Sequence, residues 1–281
     1  MIKTAINSIV LLLFMVTKFP CNGQAYDSLD FKIQFKPDTK YLQTLDLKRE
    51  TYIKYSGSDE LIQKLKDKGI ENPKFVKDST KMEVVYKTYK LTDYTSFPFT
   101  LEYIKTFNSN NIIEIPDGSF FYGHCLNGNT PILDSVTSKE TNEEINRKNI
   151  QSIQENFRQF FGPEAKIRVG ESFSRESRRT VPFANDLVNF ITITNYKLLS
   201  IDKGIGYLDI SQVHIIDSTS TKSAVKLKGR STGEIYYDIL NDYYLTYRLD
   251  TEMEINRNIN SYEVLFNVKS NFNQKTIVLK N

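Results

Sequence analysis

The sequence predicts a mainly β protein of the β-rich α+β kind. It would be a large curved antiparallel sheet or open half-barrel, with one main helix at about 141–161 and a short one at about 59–68. Three observations predict it. Apolar residues recur with a period of two over most of the chain, the spacing of strands that bury one face and wet the other. Turn-forming steps such as Lys36-Pro37-Asp38, Pro116-Asp117-Gly118 and Gly204-Ile205-Gly206 separate the runs. Only two stretches change to a helical period. About a dozen strands make a sheet wide enough to curl.

Taken in order, residues 1–25 read as a secretory signal peptide. Lys3 supplies a positive charge, Ile9–Val16 is an unbroken apolar run, and Pro20, Gly23 and Ala25 follow. The run is too short to span a bilayer, which takes about 20 apolar residues. Cys21 stands where a lipoprotein's acylated cysteine would stand. Lys18, Phe19 and Pro20 precede it instead of small residues, which disfavours a lipid anchor there. Residues 26–281 then form one β-rich domain: a β half at 26–136, the helix at 141–161 and a β half at 164–281.

In the first half, Phe31, Ile33 and Phe35 alternate with Lys32 and Gln34, and Leu42–Tyr55 holds one or two strands. Ser58 caps a short helix with Leu61, Ile62 and Leu65 on one face, and Gly69 ends it. Strands follow at Lys81–Leu91, Phe97–Phe107, Ile112–Ile115 and Phe120–His124. Thr141-Asn142-Glu143-Glu144 fits a capping box before Ile150, Ile153, Phe157, Phe160 and Phe161 at helical spacing, and Gly162-Pro163 closes the helix.

The second half places strands at Lys166–Val169, Val188–Leu199, Ile205–Ile215 and Ala224–Leu227, with turns at Gly204 and Gly233. In Tyr243–Ile255, the residues Tyr243, Leu245, Tyr247, Leu249, Met253 and Ile255 share one face and Tyr244 takes the other. Asn256–Asn260 turns the chain, Tyr262, Val264, Phe266 and Val268 return, and Thr276–Lys280 is a last strand.

Composition excludes several functions. The chain has 37 basic and 34 acidic residues, too even for a nucleic-acid binder driven by bulk charge. Removing residues 1–25 takes Lys3 and Lys18 and no acid, leaving 35 against 34. Cys21 leaves as well, so Cys125 is alone and an internal disulfide is ruled out. Two His residues make a His-rich metal site improbable on numbers. No cofactor motif is present, and the mature protein needs no transmembrane span.

Nor does any constellation name a catalyst. His124-Cys125 is the one adjacent nucleophile–base pair, but neighbours on a strand point to opposite faces. His214 sits in a strand and could approach His124. Glu252 and Glu254 share a strand face, the polar one. Arg175, Arg178 and Arg179 form a basic cluster read as a loop, able to meet a phosphate head group or an anionic surface. The 17 Tyr and 18 Phe fit a core or a cavity lining better than a carbohydrate platform, since Trp is absent. No catalytic, metal or disulfide residue is therefore assigned, and the ligand-binding residues stay open.

Arg168-Val169-Gly170-Glu171-Ser172-Phe173, Val181-Pro182-Phe183, the Gly229–Glu252 hairpin and Gly69-Ile70-Glu71-Asn72-Pro73 together carry a resemblance. The chain resembles an exported β-rich family of unknown function common in Bacteroidota-type bacteria. More remotely, that architecture is similar to half-barrel envelope carriers, in which a helix plugs the mouth and lipid or acyl chains are held. The resemblance implies an exported binding module for a lipid or another apolar ligand and supplies no catalytic residues. Two other readings stand beside it: a structural or protein-interaction component of the envelope with another envelope protein as partner, and a carboxylate-dependent hydrolase. Nucleic acid is not an expected partner.

Overall fold

The computed structural model describes residues 27–110, 115–126, 128, 130–139, 142–161, 164–183, 186–217, 225–259 and 262–280. The first half holds strands β1 (Ser28–Phe31), β2 (Thr39–Ser56), β3 (Lys74–Thr88), β4 (Ser96–Asn108), β5 (Phe120–Leu126) and β6 (Ile132–Thr137). Helix α1 (Asp59–Asp67) lies between β2 and β3, and α2 (Glu143–Phe160) follows β6. The second half holds β7 (Ala165–Arg168), β8 (Ser172–Phe183), β9 (Asp186–Asp202), β10 (Ile205–Ile216), β11 (Val225–Asp238), β12 (Tyr243–Ile259) and β13 (Tyr262–Lys280).

Eleven strands form one sheet in the order β6-β5-β4-β3-β2-β13-β12-β11-β10-β9-β8, while β1 pairs with β7 apart from it. Every pairing is antiparallel. Each half is a meander, and the long β2 and β13 join the halves at the centre. The edges β6 and β8 do not pair with each other, so the sheet is not closed into a barrel.

Ring contacts show how far it curls. Phe31 lies 5.4 Å from Phe173 of β8 and 6.2 Å from Tyr244 of β12. In a flat sheet those strands, four steps apart, would stand about 19 Å from one another. Phe35 likewise lies 5.0 Å from Phe99 of β4 and 5.4 Å from Tyr243 of β12, again four steps apart. The sheet therefore wraps around residues 29–35. Leu29, Phe31, Ile33 and Phe35 alternate inward and are all buried. This segment fills the trough at one end.

The plug is fastened by polar contacts on its other side. Gln34 N–H donates to the Asp242 carbonyl (3.1 Å) and Phe35 N–H to the Gly128 carbonyl (3.2 Å). The Tyr237 hydroxyl donates to the Lys32 carbonyl (2.6 Å). The Asp242 carboxylate receives Lys36 Nζ at 3.0 Å and Lys32 Nζ at 3.7 Å. The strand expected at residues 31–35 is thus extended chain, with β1 ending at Phe31.

Helix α2 starts with Asn142, whose side chain accepts from Ile145 N–H. The Thr141 cap expected from the sequence lies outside the described residues, as do Gly162 and Pro163. Phe157 packs 5.8 Å from Phe99 and 6.1 Å from Tyr86. Gln154 clamps the edge strand: it accepts from Leu133 N–H (2.9 Å) and donates to the Pro131 carbonyl (2.7 Å). Covering β6 with a helix removes an exposed edge that could template aggregation. Helix α1 is capped by Ser58, as expected, and buries no residue.

Several expectations change. Residues 1–25, with Cys21, lie outside the described residues, as do 111–114 of the strand expected at Ile112–Ile115. The return strand expected from Tyr262 is β13, but the turn expected to begin at Asn256 does not begin there: β12 continues as strand through Ile259, and β12 and β13 pair without a break from Thr246↔Lys275 to Ile259↔Tyr262. The strand expected at Thr276–Lys280 is the end of β13. A bulge at Tyr236/Tyr237, which pair with Thr246 and Tyr244, turns Tyr244 inward beside Tyr243, so both are buried. Gly233 is mid-strand, because a Cβ there would sit 1.9 Å from the Arg248 carbonyl oxygen. Strand β6 and the Ser172–Thr180 part of β8 are additional to the strands that the sequence pattern predicts. The Arg175–Arg179 cluster is part of β8 and not a loop.

Candidate functional site

Beyond the plug, the inner face of the sheet carries a row of polar residues. The register places Asp78, Arg49, Ser270, Thr251, Ser231, Gln212, Thr194 and Arg175 side by side from β3 to β8. The row closer to the plug contains Leu47, Phe272, Leu249, Ile210 and Tyr196. On the far side, Ile53, Phe266, Ile255 and Leu227 adjoin across β2, β13, β12 and β11. A polar belt thus separates an aromatic core from a second apolar surface.

The belt is hydrogen-bonded from strand to strand. Thr192 Oγ1 lies 2.9 Å from His214 Nδ1, and Ser231 Oγ lies 2.9 Å from His214 Nε2. Ser231 Oγ is 2.8 Å from Thr251 Oγ1, and Gln212 Nε2 donates to Thr194 Oγ1 at 3.1 Å. At the β3 end, Arg49 Nε donates to Asp78 at 3.0 Å. At the β8 end, burial pushes the Tyr196 hydroxyl pKa up and the Arg175 charge opposes that shift. Buried hydroxyls and an imidazole need such partners, because an unpaired one costs about 1–3 kcal/mol. The chain also pins the register: a slip of one residue would point every one of these groups outward.

This arrangement explains an inversion in β9 and β10. Thr192 and Thr194 point inward and are buried, while Ile193, Val213 and Ile215 point outward and are exposed. Val213 is paired with Ile193, and Ile215 with Ile191. A sequence reading that faces Ile inward assigns this stretch to the wrong side. The signal that could have found the belt is that Phe190, Tyr196 and Leu198 share phase with the threonines.

The residues singled out in the sequence fall as follows. Cys125 faces the core and is buried, and its thiol pKa is pushed up to about 12 by desolvation. His124 is on the opposite face at the rim, with Nδ1 3.1 Å from Asp134. His214 does not meet it: six strands lie between β5 and β10 in the sheet order, and the two rings are on opposite faces. Glu252 is on the outer face between Lys269 (3.2 Å) and Arg230 (3.4 Å). Those contacts, Lys269 first, hold its carboxyl below the usual range. Arg178 faces outward, 3.4 Å from Glu176 and 3.8 Å from Asp217, while Arg175 faces inward, so the basic cluster is divided between faces.

Chemically, Ser231 and His214 form a nucleophile–base contact. Ser231 is 1 % exposed, however, which closes its Oγ to a substrate. Among the described residues no cluster of three or more His, Cys, Asp or Glu could hold a metal ion. No described helix is long and apolar enough to cross a membrane. No family model and no curated protein matches the chain.

Proposed function

We propose that the protein is an exported envelope component that holds a lipid or another apolar ligand without catalysing a reaction. The observation that carries this reading is the second apolar surface. Ile53, Phe266, Ile255 and Leu227, with Met253 and Val268 beside them, line the inner face beyond the polar belt and are half-buried, outside the aromatic core. Such a surface costs free energy in water and is repaid by an apolar guest. The residue order at 1–25 supports export.

The test is native mass spectrometry of protein purified from its own envelope, with extraction of the bound fraction. A defined lipid mass on the wild type is expected. Phe266→Asp with Ile255→Asp should cut occupancy at least about 10-fold while the far-ultraviolet spectrum stays β-rich. A bare polypeptide mass would sink the reading.

A second reading, a protein-interaction component, is favoured by the outer face of β9–β10. Ile193, Val213 and Ile215 are exposed there together. It expects an envelope protein to co-purify with the wild type and to be lost from Val213→Asp.

A further inference from the structure

The inner face beyond the plug is charged as well as apolar. Past the row of Arg49 and Thr251, the next row across β2, β13 and β12 carries Thr51, Val268 and Met253. The row after it carries Ile53, Phe266, Ile255 and Leu227. The last carries Tyr55, Val264, Arg257 and Val225. Arg257 therefore points inward at the far end of the second apolar surface, about 20 Å along β12 from the belt residue Thr251. It is 8 % exposed. Its neighbours across the sheet on this face are Val225 and Val264, both buried.

The charges that face this stretch of the trough are unequal. Among the described side chains, Arg49, Lys74, Arg175 and Arg257 are on the inner face, and Asp78 is the acid among them. Asp78 is taken by Arg49 at 3.0 Å. The other acids near this end lie elsewhere. Glu254 and Glu263 alternate with Arg257 and Val264 and so stand on the outer face. Asp217 is bound by Arg178, which faces outward, at 3.8 Å. The acids on and beside α1 are exposed; Glu60 pairs with Lys64 (2.7 Å) and Asp67 accepts from Gln63 Nε2 (2.8 Å).

We infer, on the reading that this trough is the ligand site, that its guest is an anionic amphiphile: an acyl chain whose carboxylate or phosphate head meets Arg257. The chain lies along Ile255, Phe266 and Leu227. The guanidinium presents paired N–H donors in a planar fork, which matches two oxygens of either head group. Burial beside Val225 and Val264 lowers the local dielectric and strengthens that contact. A neutral head gains nothing from the surplus of inward cations, and a cationic head is repelled by it.

The test is equilibrium dialysis of the full chain, stripped of bound lipid, against radiolabelled twelve-carbon ligands below their micelle concentrations. The ligands are dodecanoate, dodecyl phosphate, dodecanol and dodecyltrimethylammonium. At least one anion should bind about 10-fold or more tightly than dodecanol, and the cation should bind more weakly than dodecanol. The tighter of the two anions identifies the head group as carboxylate or phosphate. Arg257→Gln should bring the anion to the affinity of dodecanol and leave dodecanol itself unchanged. Glu254→Gln, on the outer face, should keep the wild-type preference. The comparison of ligands on the wild type decides the matter even if Arg257→Gln does not fold. Equal binding of anion and alcohol by the wild type, or an anion preference that survives in folded Arg257→Gln, would overturn the inference and leave the apolar site standing. Failure of all four ligands to bind would overturn the apolar site and the inference together.

Discussion

Phe35 shows how one residue organises the fold. Its ring lies within 5.0–5.5 Å of Tyr41, Tyr86, Phe99, Phe161 and Tyr243. It joins strands from both halves of the sheet to the end of α2, at a point where the plug leaves the trough. The backbone on either side is held by the Lys36 N–H donated to the Tyr41 hydroxyl (2.9 Å) and by the carbonyl of Gly128. The surrounding rings are anchored to separate strands and cannot all move in to fill a void. Phe35→Ala should therefore destabilise the protein by about 3–5 kcal/mol, the range for a large core ring removed without collapse. Urea unfolding should show a lower midpoint with an unchanged slope. A loss below about 1 kcal/mol would mean that the plug is not part of the folded core.

At the scale of elements, stability is unevenly shared. Helix α1 is held by its Ser58 cap (3.3 Å to Leu61 N–H) and by the exposed Glu60–Lys64 pair, and it buries nothing. Ser58→Ala removes a cap worth about 1 kcal/mol. The amides of α1 should then exchange faster while the global unfolding midpoint stays in place. Hydrogen exchange resolved by segment checks this, and a lowered midpoint would show that α1 is coupled to the sheet. The peripheral place of α1 was legible only in part. Its cap, length and stop at Gly69 follow from local chemistry, but the apolar stripe Leu61, Ile62 and Leu65 does not reveal that these residues end only half-buried. The period-two pattern located the long strands for the same local reason. It failed where tertiary contacts decide. Arg248's carbonyl occupies the space of a Cβ at Gly233, so a glycine that looks like a turn is a close approach. The bulge opposite Tyr236 reverses the expected face of Tyr244. Thr192 and Thr194 belong inside because His214 and Gln212 meet them from the next strand, a partnership that no spacing within β9 encodes.

For the whole molecule, joining the halves through β2 and β13 means that the aromatic core is assembled from residues far apart in sequence. It also collects many acidic protons in one dry place. Burial raises the pKa of Cys125 from 9.0 to about 12 and of Tyr41 from 10.0 to about 12. Tyr86, Tyr103, Tyr237, Tyr243 and Tyr244 are raised as well, each chiefly by desolvation. Unfolding releases these groups to water, where they give up their protons from about pH 9 upward. In that range the folded chain holds more protons than the unfolded one, so stability falls as pH rises. The contribution is fully present below about pH 9 and is lost progressively toward pH 12. At 1.36 kcal/mol per pKa unit, Cys125 alone accounts for about 4 kcal/mol across the window. Urea midpoints measured at pH 7, 9 and 11 should be level over the first step and drop over the second. In Cys125→Ala the decline should begin nearer pH 10, where tyrosine titrates, because the lowest of the raised groups is gone. A wild-type midpoint that stays level to pH 11 would show that water reaches these side chains and that the trough around residues 29–35 is not dry.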